Sequence, residues 1–133
     1  MKQTGTVLIL SFLLISLGAF NRADIPVFTG KWDMNCETHT MELYLIQNGS
    51  RVVGTYDVPL GSGNMGYVIG DLVGNRLNFE YAEVFYGDSK LTSSGRGHLE
   101  ISTDGKSIAG ELSGFYDSGE KDEAKWTGTR MEQ

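Results

Sequence analysis

Three kinds of side chain in this sequence have types and spacings that could support chemistry: carboxylates on strand-like runs, two histidines, and a lone cysteine. Glu80, Glu83 and Glu100 could act as paired acid and base toward a glycosidic or similar bond if two of them faced one cleft. Glu80 and Glu83 are an odd number of residues apart, so strand alternation sends them to opposite faces, and all three are read as a solvated exterior. His39 and His98 are far apart in the chain and neither has a second ligand at zinc spacing; both are read as surface residues. Asp117 to Glu123 is rich enough in carboxylates to attract calcium but lacks the Asp-x-Asp-x-Asp-Gly order that wraps the ion, and it is read as an exposed turn.

Cys36 is the single cysteine and cannot form an internal disulfide. It shares a strand face with Trp32 and Met34, which marks it as a buried, reduced thiol acting as a small apolar filler. Ser62, Ser93 and Ser94 have no recognisable base. No Gly-x-Ser-x-Gly elbow, phosphate-cradling loop or His-Glu-x-x-His helix occurs. The sequon Asn48-Gly49-Ser50 is explained by the Asn-Gly turn it contains. The expectation is a protein that is not an enzyme, with no catalytic residue, metal or cofactor assigned.

The elements that carry these residues are short alternating runs. Trp32, Met34 and Cys36 alternate with Asp33 and Asn35; Met41, Leu43 and Leu45 follow on the next run, which Asn48-Gly49 turns back. Arg51 to Val58 sets Val52, Gly54, Tyr56 and Val58 against Arg51, Val53, Thr55 and Asp57. After a Gly-rich connection from Leu60 to Gly66, a run from about Tyr67 to Val73 turns at Gly74-Asn75 into Leu77, Phe79 and Tyr81. Val84 to Ser94 breaks the alternation and is expected to be the longest loop, a candidate lid carrying Phe85 and Tyr86. Runs from Gly95 to Ser102 and Ser107 to Phe115, and a last one delivering Trp126, Gly128 and Arg130, bring the count to about eight. The pattern predicts an all-β fold, an up-and-down antiparallel β-barrel of about eight strands in a single domain.

Gly30-Lys31-Trp32 at the start and Trp126-Thr127-Gly128-Thr129-Arg130 at the end resemble the calycin group, which comprises the lipocalin, fatty-acid-binding and avidin-like barrels. There a Gly-x-Trp on the first strand packs under an Arg on the last. The resemblance implies that Gly30, Trp32 and Arg130 close one barrel end, with the guanidinium stacked on the indole. Gly54-Thr55-Tyr56 is similar to the third strand of avidin-like proteins and implies a pocket hydroxyl on Tyr56. Met34 stands where biotin-binding members carry Asn, and the chain has only two tryptophans, a departure that argues against biotin.

At the N-terminus, Lys2 precedes an uncharged apolar run from about Thr6 to Phe20 that follows the plan of a secretory signal. Cleavage is expected after Gly18, or alternatively as late as Ala23, leaving 19–133 as a free, secreted or periplasmic domain with no membrane attachment. The run is short for the ~20 residues of a spanning helix. The net charge is −6, and the basic residues are scattered singly, which excludes nucleic acid as a partner. The expected activity is binding of a small apolar or amphipathic ligand at the open barrel end, lined by Tyr56, Tyr67, Tyr81, Phe85 and Tyr86. The alternative is a packed barrel that serves as an interaction or structural module and holds no small molecule.

Overall fold

The computed structural model describes residues 27–58, 63–87 and 90–132; the apolar N-terminal run and both expected cleavage positions lie outside them. Eight strands follow one another: β1 (Gly30–Asn35), β2 (Thr40–Asn48), β3 (Arg51–Val58), β4 (Asn64–Val73), β5 (Arg76–Phe85), β6 (Lys90–Ile101), β7 (Ser107–Tyr116) and β8 (Lys121–Arg130). Each pairs antiparallel with its neighbour in sequence, and β1 also pairs with β8 through Trp32↔Arg130 to Asn35↔Thr127, closing the barrel. The fold is an all-β, eight-stranded antiparallel barrel, consistent with a calycin-like architecture.

Alternation decides what lies inside. Trp32, Met34, Met41, Leu43, Leu45, Val52, Val68, Leu77, Phe79, Leu99, Ile108, Leu112 and Trp126 are buried in one cluster, while their odd-parity neighbours face out. Burial of this set drives closure. Tight turns set the register: Gly49 and Gly74 both adopt φ +63°, a left-handed conformation that suits glycine and matches the twist of the flanking strands.

The strands run longer than the sequence suggests at one end of the barrel. β4 begins at Asn64 instead of about Tyr67, and β8 begins at Lys121, inside the stretch read as an exposed turn. The expected long loop from Val84 to Ser94 is mostly strand: Val84↔Leu91 and Phe85↔Lys90 are paired. A register shift after Glu83 explains the broken alternation, because Glu83 pairs with Ser93 and Val84 with Leu91, leaving Thr92 as an extra residue on β6. Thr92 is held by its own groups. Its Oγ1 donates to the Glu83 carbonyl at 3.2 Å, and its carbonyl accepts from Asp117 N at 2.9 Å.

Candidate functional site: an acidic, tyrosine-lined barrel mouth

The two ends of the barrel differ in chemistry. At the end where β1 starts and β8 finishes, the Arg130 guanidinium lies 4.3 Å from the Trp32 ring centroid. Its three nitrogens donate to the carbonyls of Gly105 at 3.0 Å, Thr29 at 2.6 Å and Val27 at 2.6 Å. Trp32 Nε1 donates to the Phe28 carbonyl at 2.9 Å, and Phe28 is fully buried. Gly30 has φ +146°, and a Cβ there would sit 2.7 Å from the Arg130 guanidinium. This end is plugged.

The opposite end collects polar groups that point inward. Tyr56 on β3 and Tyr81 on β5 are buried, and the backbone beside each ring is glycine. A side chain at Gly66 would strike the Tyr56 ring, and one at Gly114 would strike the Tyr81 hydroxyl. The Tyr56 hydroxyl donates to Glu83 Oε1 at 3.0 Å. The Tyr81 hydroxyl lies 3.3 Å from both Ser93 Oγ and Asp122 Oδ2, and Ser93 Oγ donates to the same Asp122 oxygen. Trp126 meets Tyr56 edge-on at 5.3 Å and stacks near Phe79 at 5.9 Å. These rings fill the barrel directly beneath the polar layer. Among the described residues, no buried side-chain polar atom lacks a partner.

Two carboxylates share this partly dry mouth, and Glu83 is the one whose charge is disfavoured. Burial raises the Glu83 carboxyl above its ordinary value, the nearby Asp122 charge adds to this, and the Tyr56 hydrogen bond opposes both. Burial, and then the Glu83 charge, raise Tyr56 strongly. Burial foremost pushes Tyr81 up to about 12. Cys36, buried beside this layer, is pushed up to about 12 by burial and by the Glu83 charge, so its thiol is a neutral filler at physiological pH. The arrangement offers acceptor oxygens and flat aromatic surface to a ligand arriving from solvent.

The sequence-predicted ligand residues separate into two groups. Tyr56 and Tyr81 meet in the mouth. Tyr67 stands on the outer face, 46% exposed. Phe85 folds over Gly63 and Gly87, while Tyr86 reaches outward to Asp57 at 3.4 Å and bonds the Gly63 carbonyl through its backbone N–H at 3.0 Å, so both brace the β3–β4 rim. His39 is near Thr38 Oγ1 at 3.2 Å and His98 lies on the outer side of β6.

The reading of Asp117 to Glu123 as a wholly exposed turn is corrected by Asp122, and the reading of Glu83 as part of a solvated exterior is corrected by its inward position. Their parity carried the signal: Glu83 follows Leu77, Phe79 and Tyr81 in steps of two, and Asp122 precedes Trp126 and Gly128 in the same way. Ser93 was hidden by the extra residue at Thr92. The chain matches no family, no curated protein and no solved structure among those compared, so the functional reading rests on the mouth itself.

Proposed function

We propose that the protein is a non-enzymatic binding barrel that takes a small amphipathic ligand at its open end. One observation supports this above all. An otherwise apolar, filled barrel concentrates Tyr56, Tyr81, Glu83, Ser93 and Asp122 on the inner side of one end. A scaffold that needed only stability would be served there by the apolar side chains used elsewhere, since buried charges cost solvation that their mutual contacts only partly offset. Because Trp126 and Phe79 fill the space beneath, the ligand is held at the mouth and not in a deep lumen. Its donor group, an amine or a hydroxyl, meets Glu83 and Asp122, and its apolar part lies against tyrosine ring surface. Export of the mature domain, inferred from Lys2 and the apolar run after it, belongs to the same proposal.

Native mass spectrometry with three probes of equal ring size, benzylamine, benzyl alcohol and benzoate, tests the reading. Benzylamine should be retained best and benzoate least. The Glu83→Gln/Asp122→Asn double variant, checked for its near-ultraviolet circular dichroism, should lose the preference. Retention of none of the probes, or an identical ranking in the variant, would reject the mouth as the binding site.

A further inference from the structure

The pairing of β1 with β8 ends abruptly. Its register runs from Trp32↔Arg130 to Asn35↔Thr127, so a continuation would set Glu37 opposite Lys125. Glu37 instead adopts φ 69°, a left-handed conformation uncommon outside glycine, and the chain turns away toward β2. Its side chain fills the vacated place: Oε1 accepts the Lys125 N–H at 2.6 Å, as a paired carbonyl would. Beyond that carboxylate no strand lies on the β1 side of β8 among the described residues, although β7 pairs with β8 as far as Lys121. Odd-numbered residues of β8 aim their backbone groups to that side. Met131 N bonds to Lys31 O across the β1 joint, while Arg130 N bonds to Lys106 O on the β7 side, and alternation carries the same sorting down the strand. The barrel is therefore sealed toward its plugged end and keeps a short open edge, residues 121–125, at its mouth.

We propose that this edge takes an extended segment of another protein as an added antiparallel strand. Glu123, at its centre, offers both N–H and C=O to such a strand, and Lys125 offers its C=O while Glu37 holds its N–H. The side chains select the occupant. Lys121, Glu123 and Lys125 point outward and are exposed, whereas Asp122 and Ala124 point into the barrel and are half-buried. A second copy of this chain fits poorly. Antiparallel pairing of two copies about Glu123 sets Glu123 against Glu123 and Lys121 against Lys125, like charge opposite like. A foreign segment fits when a basic residue stands opposite Glu123 and acidic residues stand two positions to either side, opposite Lys121 and Lys125. The ion pair between Lys121 and Glu123 spans 4.0 Å in solvent and gives way at little cost. On the inner side, Ala124 leaves room for an apolar residue and Asp122 accepts from a hydroxyl. Strand addition of this kind needs no small ligand in the mouth and goes beyond that reading.

Peptide titration of the full chain, followed through its amide protons by nuclear magnetic resonance, tests the proposal. The probe is the acetylated, amidated pentapeptide Glu-Val-Lys-Thr-Glu, whose lysine lies opposite Glu123 when the two strands run antiparallel. The Glu123 amide proton should exchange rapidly in the protein alone and at least about tenfold more slowly once peptide saturates the edge. A twin methylated on the lysine backbone nitrogen cannot donate to the Glu123 carbonyl and should bind at least about tenfold more weakly. The charge-reversed peptide Lys-Val-Glu-Thr-Lys should weaken similarly. Glu123→Pro removes the edge N–H and spares the even-numbered residues that bond β7, so it should abolish binding with near-ultraviolet circular dichroism unchanged; if that variant does not fold, the methylated twin carries the comparison. No binding of the first peptide at up to about 5 mM, equal binding by the methylated twin, or no protection at Glu123 would overturn the proposal. So would binding that the Glu83→Gln/Asp122→Asn double variant loses and the methylated twin keeps, which would put the peptide's lysine in the mouth.

Discussion

Replacing Arg130 with alanine should open the plugged end. The side chain contributes one stacking contact on Trp32 and donates to three carbonyls from two segments, Gly105 in the β6–β7 turn and Thr29 and Val27 ahead of β1. The stacking is worth about 1 kcal/mol at a half-buried site. The Gly105 bond is partly buried and its loss costs about 1 kcal/mol, whereas water replaces the donors at the exposed Thr29 and Val27 carbonyls, for about 0.5 kcal/mol each. The sum is about 3 kcal/mol, which for a domain of this size lowers Tm by roughly 10–20 °C. Urea unfolding followed by tryptophan fluorescence reads the difference directly, because Trp32 reports on the plug. Arg130→Lys sharpens the test: it keeps the charge above the indole but offers one nitrogen where three are used, and should recover only about 1 kcal/mol. A loss below about 1 kcal/mol in the alanine variant, or full recovery by lysine, would refute the view that a forked donor closes this end.

The pH dependence of the mouth follows from Glu83. Its carboxyl is raised in the folded state by burial and then by the Asp122 charge, so as pH falls the folded chain takes up this proton before the unfolded chain does. Ionised Glu83 therefore lowers stability near neutral pH, and the penalty fades as acidification carries pH through the raised value toward the ordinary carboxyl range. The Glu83→Gln variant should be more stable than the parent at about pH 7, with the gap closing toward about pH 4; urea midpoints that diverge on acidification would contradict this. Cys36, with its thiol pushed up to about 12, should react with a disulfide reagent at pH 8 only at the rate of unfolding, and rapid labelling of the folded protein would place it at the surface.

Parity was the legible part of this fold. Leu77-x-Phe79-x-Tyr81 and Trp126-x-Gly128-x-Arg130 announce their inner faces residue by residue, and Asn48-Gly49 fixes the register of β2 against β3. Alternation fails as a guide where the two paired strands differ in length. The extra Thr92 on β6 made paired strand look like loop and concealed Ser93. Asp122 was obscured differently. The charged or small polar neighbours Asp117, Ser118, Glu120, Lys121 and Glu123 suggest solvent, yet strand pairing with β7 starts at Lys121↔Phe115, and from there the two-residue period dictates direction whatever the side chain. Composition gives no sign that the outward Ile46, Val53 and Ile69 are neighbours, because they come together only through cross-strand pairing of β2, β3 and β4.

The joint between the first and last strands has a kinetic meaning as well. β1 and β8 are paired over only four residues, from Trp32↔Arg130 to Asn35↔Thr127, whereas β4 and β5 are paired along their full ten-residue lengths. The hydrogen bonds from Arg130 to Thr29 and Val27 span 101 and 103 residues of chain, so among the described residues forming them closes a loop of nearly the whole barrel, at a high entropic cost. Hairpins from β2 to β7 can assemble locally and wait for this step. The joint is then the last to form and the first to part, and amide protons along β1 should exchange through partial openings that leave β4 and β5 protected.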